Sequence, residues 1–178
     1  MKTLGTNGMK ALKILHILFG IMWIGGVMAL VSIMLGSRPE GVEQIYMAAR
    51  DHLVIDKWFL IPGGFGIVFT ALAYSIFTKW GFFKFRWVTV KWILTVLLVI
   101  IGKAYMGILI EKNMTLAEGL LVGSGSAERF YVNVNHVAIA GIIQLVGFTV
   151  VLILSVVKPW NKRKSLTSSP ESGSGKQA

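Results

Sequence analysis

The sequence predicts an all-α membrane protein: a bundle of four transmembrane helices with both chain ends in the cytoplasm. Mean hydropathy is +0.69, and 54% of the residues are apolar. Only 15% are charged, well below the roughly 25% found in soluble domains. The apolar residues form four long runs, and a helix needs about 20 such residues to cross a bilayer. Backbone amides inside lipid must pair within their own segment, so each run is expected to be a helix.

The runs cover residues 14–35, 58–78, 92–110 and 130–157. They contain a single Lys, Arg, Asp or Glu residue, which is Lys103. The first run is longer than the roughly 7–15 apolar residues of a signal peptide, and no clear cleavage site follows it, which indicates a retained helix. Residues 1–161 are therefore expected to form one transmembrane domain. Residues 162–178 are rich in Ser, Gly, Lys and Pro and are expected to form a disordered cytoplasmic tail.

The basic residues predict the orientation of the chain. Twelve of the 18 Lys and Arg residues lie in the N-terminus, the loop between helices two and three, or the tail, whereas seven of the eight acids lie in the other two loops. The positive-inside rule places the basic segments on the cytoplasmic side of the membrane. The membrane is expected to be a bacterial inner membrane. The net charge of +10 is then a topology signal that favours contact with anionic lipid, and nucleic acid is not an expected partner.

The outer loop before helix two has a helical pattern. A short amphipathic outer helix or an extension of helix two is predicted by residues that recur at helical spacing: Val42, Ile45, Tyr46, Ala49, Leu53 and Asp56. Pro62 is expected to kink or loosen the start of helix two. The second outer loop contains several glycines and is expected to be flexible: Gly119, Gly123 and Gly125.

Three predicted helices carry a stripe that begins with a titratable residue and continues mostly with small or polar residues, at spacings of three and four. These stripes are His16, Gly20, Trp23 and Val27 on helix one, Lys91, Thr95, Leu98, Gly102 and Tyr105 on helix three, and His136, Ala140, Gln144, Gly147 and Val151 on helix four. Polar groups at membrane depth usually face the bundle interior, so the three stripes are expected to meet.

The predicted topology sorts the titratable residues by depth. His16 and Lys91 both lie a few residues inside helices that start in the cytoplasm, roughly 5–10 Å below that interface. His52 and His136 belong to the outer side. An inner pair, His16 with Lys91, and an outer pair, His52 with His136, are expected. The alternatives are that Lys91 snorkels to the interface, that His16 only packs, that His52 is an exposed loop residue, and that His136 is interfacial.

Two segments carry a resemblance to known membrane proteins. The pattern His16-x6-Trp23-x-Gly25-Gly26 resembles the first helix of HemJ-type protoporphyrinogen oxidases and of copper-resistance D (CopD) domains. The segment 86–92, with Trp87 and Lys91, looks like the third-helix W-x3-K-L pattern of the HemJ type. That resemblance implies haem b bound by His16 and Lys91, and a haem-dependent membrane oxidoreductase. The Tyr-His pair that follows in the HemJ type is missing here, which argues against oxidase activity.

A second resemblance covers about residues 10–160. The chain here resembles a bacterial four-helix integral membrane family of unknown function that is related to the CopD group. The resemblance is carried by Asp56, Pro62-Gly63-Gly64, segment 86–92 and the closing Lys158-Pro159-Trp160.

Three functions are consistent with these residues. The first is a haem b protein that moves electrons in the membrane to a redox partner or quinone, with His16 on the iron, Lys91 on the iron or a propionate, and Gly20 and Gly102 making room for the macrocycle. His52 and His136 would hold a second haem or accept protons.

The second function is a copper- or zinc-handling permease that uses His52 and His136, and four helices would then require a homo-oligomer. The third is a structural or partner-binding subunit without a cofactor. The chain has no cysteine, which excludes thiolate chemistry, and no span combines a Ser or Thr with a His and an acid, as a hydrolase would need.

Overall fold

The computed structural model describes residues 4–77 and 86–157, which form four long helices and no strand. The second and third helices each contain one short π-helical segment, in which the turn is wider than in an α-helix. The elements in chain order are α1 Thr6–Gly36, α2 Val42–Ile55, the first π segment Asp56–Leu60, α3 Ile61–Phe77, α4 Arg86–Ile100, the second π segment Ile101–Gly107, α5 Ile108–Leu121 and α6 Ala127–Val157. The predicted all-α four-helix bundle is confirmed.

The four helices run antiparallel along the chain, and each is long and apolar enough to cross a membrane. α1 packs against α3 and α6, α2 packs against α5, and α5 packs against α6. We call the end of the bundle that holds Thr6 and Val157 the terminal end. The opposite end, which holds the connections 37–41 and 122–126, is the distal end. The predicted tail 162–178 and the domain boundary at 161 lie outside the described residues.

The outer helical pattern before helix two is an extension of that helix. α2, the first π segment and α3 follow one another without a break from Val42 to Phe77. Ile45 and Ala49, two residues of the predicted apolar face, are buried. Packing of α2 on α5 explains why this segment remains helical beyond the expected start of the span.

The third helix also continues further than expected. It ends at Leu121, so the prediction of a flexible loop is wrong for Gly119. Its last segment is rich in Glu, Lys, Met, Leu and Ala, which are good helix formers, and it buries Ile110 and Ala117. Only residues 122–126 interrupt the helices here, and Gly123 has the positive φ of 76° that favours glycine in a turn.

Pro62 lies two residues after the first π segment. A proline has no N–H and cannot donate to the carbonyl one turn earlier, so a regular α-helix would be disturbed at this point. A π segment is one of the known irregularities that accompany such a disturbance. The helix therefore accommodates Pro62 by widening one turn rather than by ending.

α1 and α3 approach each other closely because α3 has glycines on the contact face. A Cβ at Gly63 would lie 2.7 Å from the backbone nitrogen of Trp23, and a Cβ at Gly66 would overlap the ring of Phe19. Small residues commonly permit such close packing between membrane helices. This contact fixes the position of Trp23, which is buried at the centre of the bundle.

Candidate functional site

His16 on α1 is hydrogen-bonded to Thr70 on the neighbouring helix α3. Its Nδ1 atom lies 2.8 Å from Oγ1 of Thr70. Thr70 has one hydroxyl proton, and it donates that proton to the carbonyl of Gly66 at 2.6 Å. With that proton on Gly66, Thr70 Oγ1 accepts from His16, which assigns the proton of neutral His16 to Nδ1. In this tautomer the lone pair of the imidazole is on Nε2.

Lys91 lies near this histidine. The ammonium of Lys91 is 5.8 Å from the ring centroid of Trp87, and its charge acts on the imidazole of His16. The ring of His16 meets the ring of Tyr74 edge-on, with centroids 5.7 Å apart. His16 and Lys91 are both half-buried. The structure thus places an imidazole and an ammonium group at the same end of the bundle, the terminal end, and their predicted pairing stays a prediction.

The helix that carries Lys91, α4, packs differently against its two neighbours α6 and α3. The backbone of α4 packs mainly against α6. Its link to α3 is made by side chains, because Nε1 of Trp92 donates to Oγ of Ser75 at 3.2 Å. Ser75 in turn donates to the carbonyl of Ala71. A side-chain hydrogen bond therefore links α3 to α4 at Trp92, the residue that follows Lys91.

Neighbouring side chains pack closely on the two glycines that were expected to make room for a macrocycle. A Cβ at Gly20 would lie 3.4 Å from Cδ1 of Ile67, and a Cβ at Gly102 would lie 2.7 Å from Nε2 of Gln144. Gly102 also lines a cavity of about 80 Å³. The donor chemistry of His16 fits a haem ligand, and the role expected of Gly20 and Gly102 stays a prediction.

The two remaining histidines lie in different environments. His52 on α2 is 3% exposed, and neither of its ring nitrogens has a hydrogen-bond partner. His136 on α6 is exposed. The structure does not bring them together as a buried pair. Within residues 4–77 and 86–157, no group of three or more His, Cys, Asp or Glu side chains is arranged to hold a metal ion.

A second polar constellation lies where the two π segments face each other. A cavity of about 80 Å³ separates them, and the residues that line it include Trp23, Asp56, Gly64, Gly102 and Lys103. Asp56 is 2% exposed, and its Oδ2 atom has no hydrogen-bond partner. Charged residues are almost never buried at this depth without a partner, so Asp56 is a candidate functional residue.

Gln144 supports this region from α6. It is fully buried and donates from Nε2 to the carbonyl of Leu98 at 2.8 Å. Gly102, which lies four residues after Leu98, has no Cβ and leaves room for the amide. The hydrogen bond therefore joins α6 to α4 just before the second π segment begins.

Three buried polar residues received no functional role in the sequence analysis. Thr70 lies in the apolar run 58–78, and it follows Gly63 and Gly66 at spacings of seven and four, which place all three on one helix face. Asp56 follows His52 by four residues and so shares its buried face. Asn113 is also fully buried, on α5. Helical spacing could have identified Thr70 and did place Asp56 on the helical face, but only the packing of α5 on α2 shows that Asn113 is enclosed.

Comparison with protein-family models, curated proteins and solved structures finds no match to this chain. The conclusion therefore rests on the architecture, in which four helices have the length and apolar composition that a membrane span requires. The chain is an integral membrane protein with two polar sites inside the bundle, one around His16 and one around Asp56.

Proposed function

We propose that this protein binds haem b in a bacterial inner membrane and takes part in electron transfer, with His16 as an iron ligand. The observation that carries this proposal is the hydrogen bond between His16 Nδ1 and Thr70 Oγ1, at 2.8 Å. Metal-binding histidines commonly donate their other ring N–H to an oxygen atom, which fixes the tautomer and the ring orientation. Thr70 would serve that purpose here and leave Nε2 available for iron.

Lys91 would complement the bound group by its charge. Haem carries two propionate carboxylates, and an ammonium near His16 would neutralise one of them. When bound, haem would supply one-electron transfer, with its potential set by the ligand and by exclusion of water. The resemblance of the first and third helices to HemJ-type proteins points to the same two residues and remains part of the proposal.

The basic residues support a cytoplasmic position for both chain ends, by the positive-inside rule. The terminal end of the bundle, and with it His16 and Lys91, would then lie towards the cytoplasm. A quinone in the bilayer or a redox protein at that surface would exchange electrons with the haem.

A purely structural role for His16 is the second candidate. The same hydrogen bond joins α1 to α3, and such a bond between membrane helices stabilises a protein by about 0.6 kcal/mol on average. A copper- or zinc-handling permease receives less support, because the described residues hold no cluster of metal-ligating side chains.

The experiment is a titration of the purified apoprotein in detergent with haem b, followed by the Soret absorption band. We expect saturable binding for the wild type and its loss in His16→Ala. Thr70→Val keeps the shape of the side chain but cannot accept the hydrogen bond, so we expect affinity to fall about 10- to 100-fold, as for other partners of metal-binding histidines.

His136→Ala is the matched control, because His136 is exposed on α6, and we expect it to bind haem like the wild type. If the wild type gives no saturable Soret band while His16→Ala lowers only thermal stability, His16 is a packing residue and the haem proposal is wrong. If His16→Ala binds as tightly as the wild type, the ligand lies elsewhere.

A further inference from the structure

The distal half of the bundle contains buried polar atoms without a hydrogen-bond partner in the protein. Within residues 4–77 and 86–157, six buried side-chain nitrogen or oxygen atoms have no hydrogen-bond partner, and five of them belong to His52, Asp56 and Asn113. Leaving one such group unsatisfied costs about 1–3 kcal/mol. A folded protein rarely tolerates several of these costs in one region, so a further hydrogen-bonding species is expected there.

The three side chains lie on packed helix faces. His52 and Asp56 are one helical turn apart on the buried face of the second long helix, and both are at least 97% buried. Asn113 is fully buried on α5, which packs against α2. Of the three, Asp56 lines the cavity between the two π segments, with Oδ2 unpartnered.

The cavity is large enough for several water molecules. Its volume is about 80 Å³, whereas one water needs about 10–15 Å³ measured in the same way. Dry cavities in proteins are lined by apolar side chains alone, and here a carboxylate and an ammonium, those of Asp56 and Lys103, are part of the wall. A water molecule also needs two to four polar partners, and the carboxylate of Asp56 and the ammonium of Lys103 provide two of them.

The cavity has a route to the surface. Lys103 lines it, and the Lys103 ammonium lies 3.8 Å from Oε1 of Glu111, with the two side chains 51% and 58% exposed. Lys103, one member of this exposed ion pair, and the buried carboxylate of Asp56 therefore line the same cavity.

We infer that the cavity between the π segments holds ordered water bound to Asp56, and that Asp56 exchanges protons with solvent on the distal side through this water. In that step a hydronium ion transfers one proton to Oδ2 and becomes water, and the reverse step restores the carboxylate. The inference is independent of haem binding, because it uses none of the residues around His16.

Water fits this cavity better than a metal ion or an apolar ligand. A hard cation prefers six or more oxygen ligands, and Asp56 is the one carboxylate among the lining residues, opposite a positively charged lysine. An apolar ligand would leave Oδ2 of Asp56 without a partner. Water molecules can satisfy both groups and can also carry the proton.

The test uses the fact that the chain contains two aspartates, Asp51 and Asp56. Protein labelled with ¹³C at the aspartate side-chain carboxyl is reconstituted in liposomes, and solid-state NMR measures magnetisation transfer from water protons to each carboxyl carbon. Asp51 is exposed and gives the signal of a fully hydrated carboxylate. Asp51→Asn and Asp56→Asn assign the two signals.

A methyl group introduced into the cavity provides the second arm. A Cβ at Gly64 would lie 3.7 Å from Cε2 of Trp23, an ordinary contact, whereas a Cβ at Gly25 on α1 meets nothing within 4 Å. Both Gly64→Ala and Gly25→Ala should fold. We expect Gly64→Ala to reduce transfer to Asp56 by about half, because a methyl group would displace water from the cavity, and Gly25→Ala to leave it unchanged.

Strong transfer from water to the Asp56 carbon in the wild type, reduced in Gly64→Ala alone, supports the inference. Transfer to Asp51 without transfer to Asp56 would overturn it, because the cavity would then be dry. A shift of the Asp56 signal on addition of sodium chloride, absent with choline chloride, would also overturn it, because a metal cation would occupy the site in place of water.

Discussion

Substitution of Gly66 by alanine tests the close approach of α1 and α3 on which both polar sites depend. The added Cβ would overlap the ring carbons of Phe19. Overpacking of this kind lowers the unfolding free energy by about 1–3 kcal/mol. Replacing glycine by alanine inside a helix raises it by about 0.5–1 kcal/mol. The expected net loss of unfolding free energy is about 0–2.5 kcal/mol relative to the wild type. Gly64→Ala on the same helix has room for its Cβ and should be neutral or slightly stabilising.

The assay is reversible unfolding in mixed detergent micelles, followed by circular dichroism, for wild type, Gly66→Ala, Phe19→Ala and the double variant. Removing the Phe19 ring should relieve the overlap, so the effects of the two changes should not add, and a coupling energy of about 0.5–3 kcal/mol is expected for residues in direct contact. If Gly66→Ala is as stable as Gly64→Ala, or if the double-mutant cycle is additive, α1 and α3 do not meet at these residues.

Two further substitutions test the links between helices. Gln144→Met keeps the length of the side chain but removes its hydrogen bond to the Leu98 carbonyl. We expect the unfolding free energy to fall by about 1 kcal/mol or less, because hydrogen bonds between membrane helices average about 0.6 kcal/mol. A fall above about 3 kcal/mol in the same unfolding assay would contradict this expectation. Ser75→Ala removes the acceptor of the Trp92 Nε1 proton and should lower stability by less than about 1 kcal/mol. Because this bond joins α3 to α4 near Lys91, the variant should also change the haem affinity measured above, and unchanged affinity would show that α4 is positioned by α6 alone.

Hydropathy and charge were sufficient to predict the fold class. Four uncharged or nearly uncharged runs defined the spans, because lipid penalises every exposed charge and every unpaired amide. The middle of each polar stripe is also buried as expected, for example Trp23, Leu98 and Gln144. These positions follow from helical spacing alone, which is why the sequence could predict them.

The features that could not be predicted from the sequence are the ends of the helices and the contacts of the polar interior. The helical segment 111–121 carries charges, so hydropathy could not show that it continues a span, although its packing against α2 does. The cavity beside Asp56 depends on two widened turns in different helices, and no local pattern specifies that they face each other. The pairing of Thr70 with His16 joins residues 54 positions apart, a separation that a single sequence does not report.

The second and third long helices, each 36 residues, reach further than a bilayer. At 1.5 Å per residue each is about 54 Å long, against about 30 Å of hydrocarbon. A tilt shortens the excess only partly, and the charged residues of α2 and α5 place most of it at the distal end, where about 20 Å of helix leaves the hydrocarbon and enters the headgroup layer and the water beyond. The packed pair of α2 and α5 is therefore the part of the distal end on which a water-soluble probe, such as an antibody fragment or a protease, should act in intact vesicles.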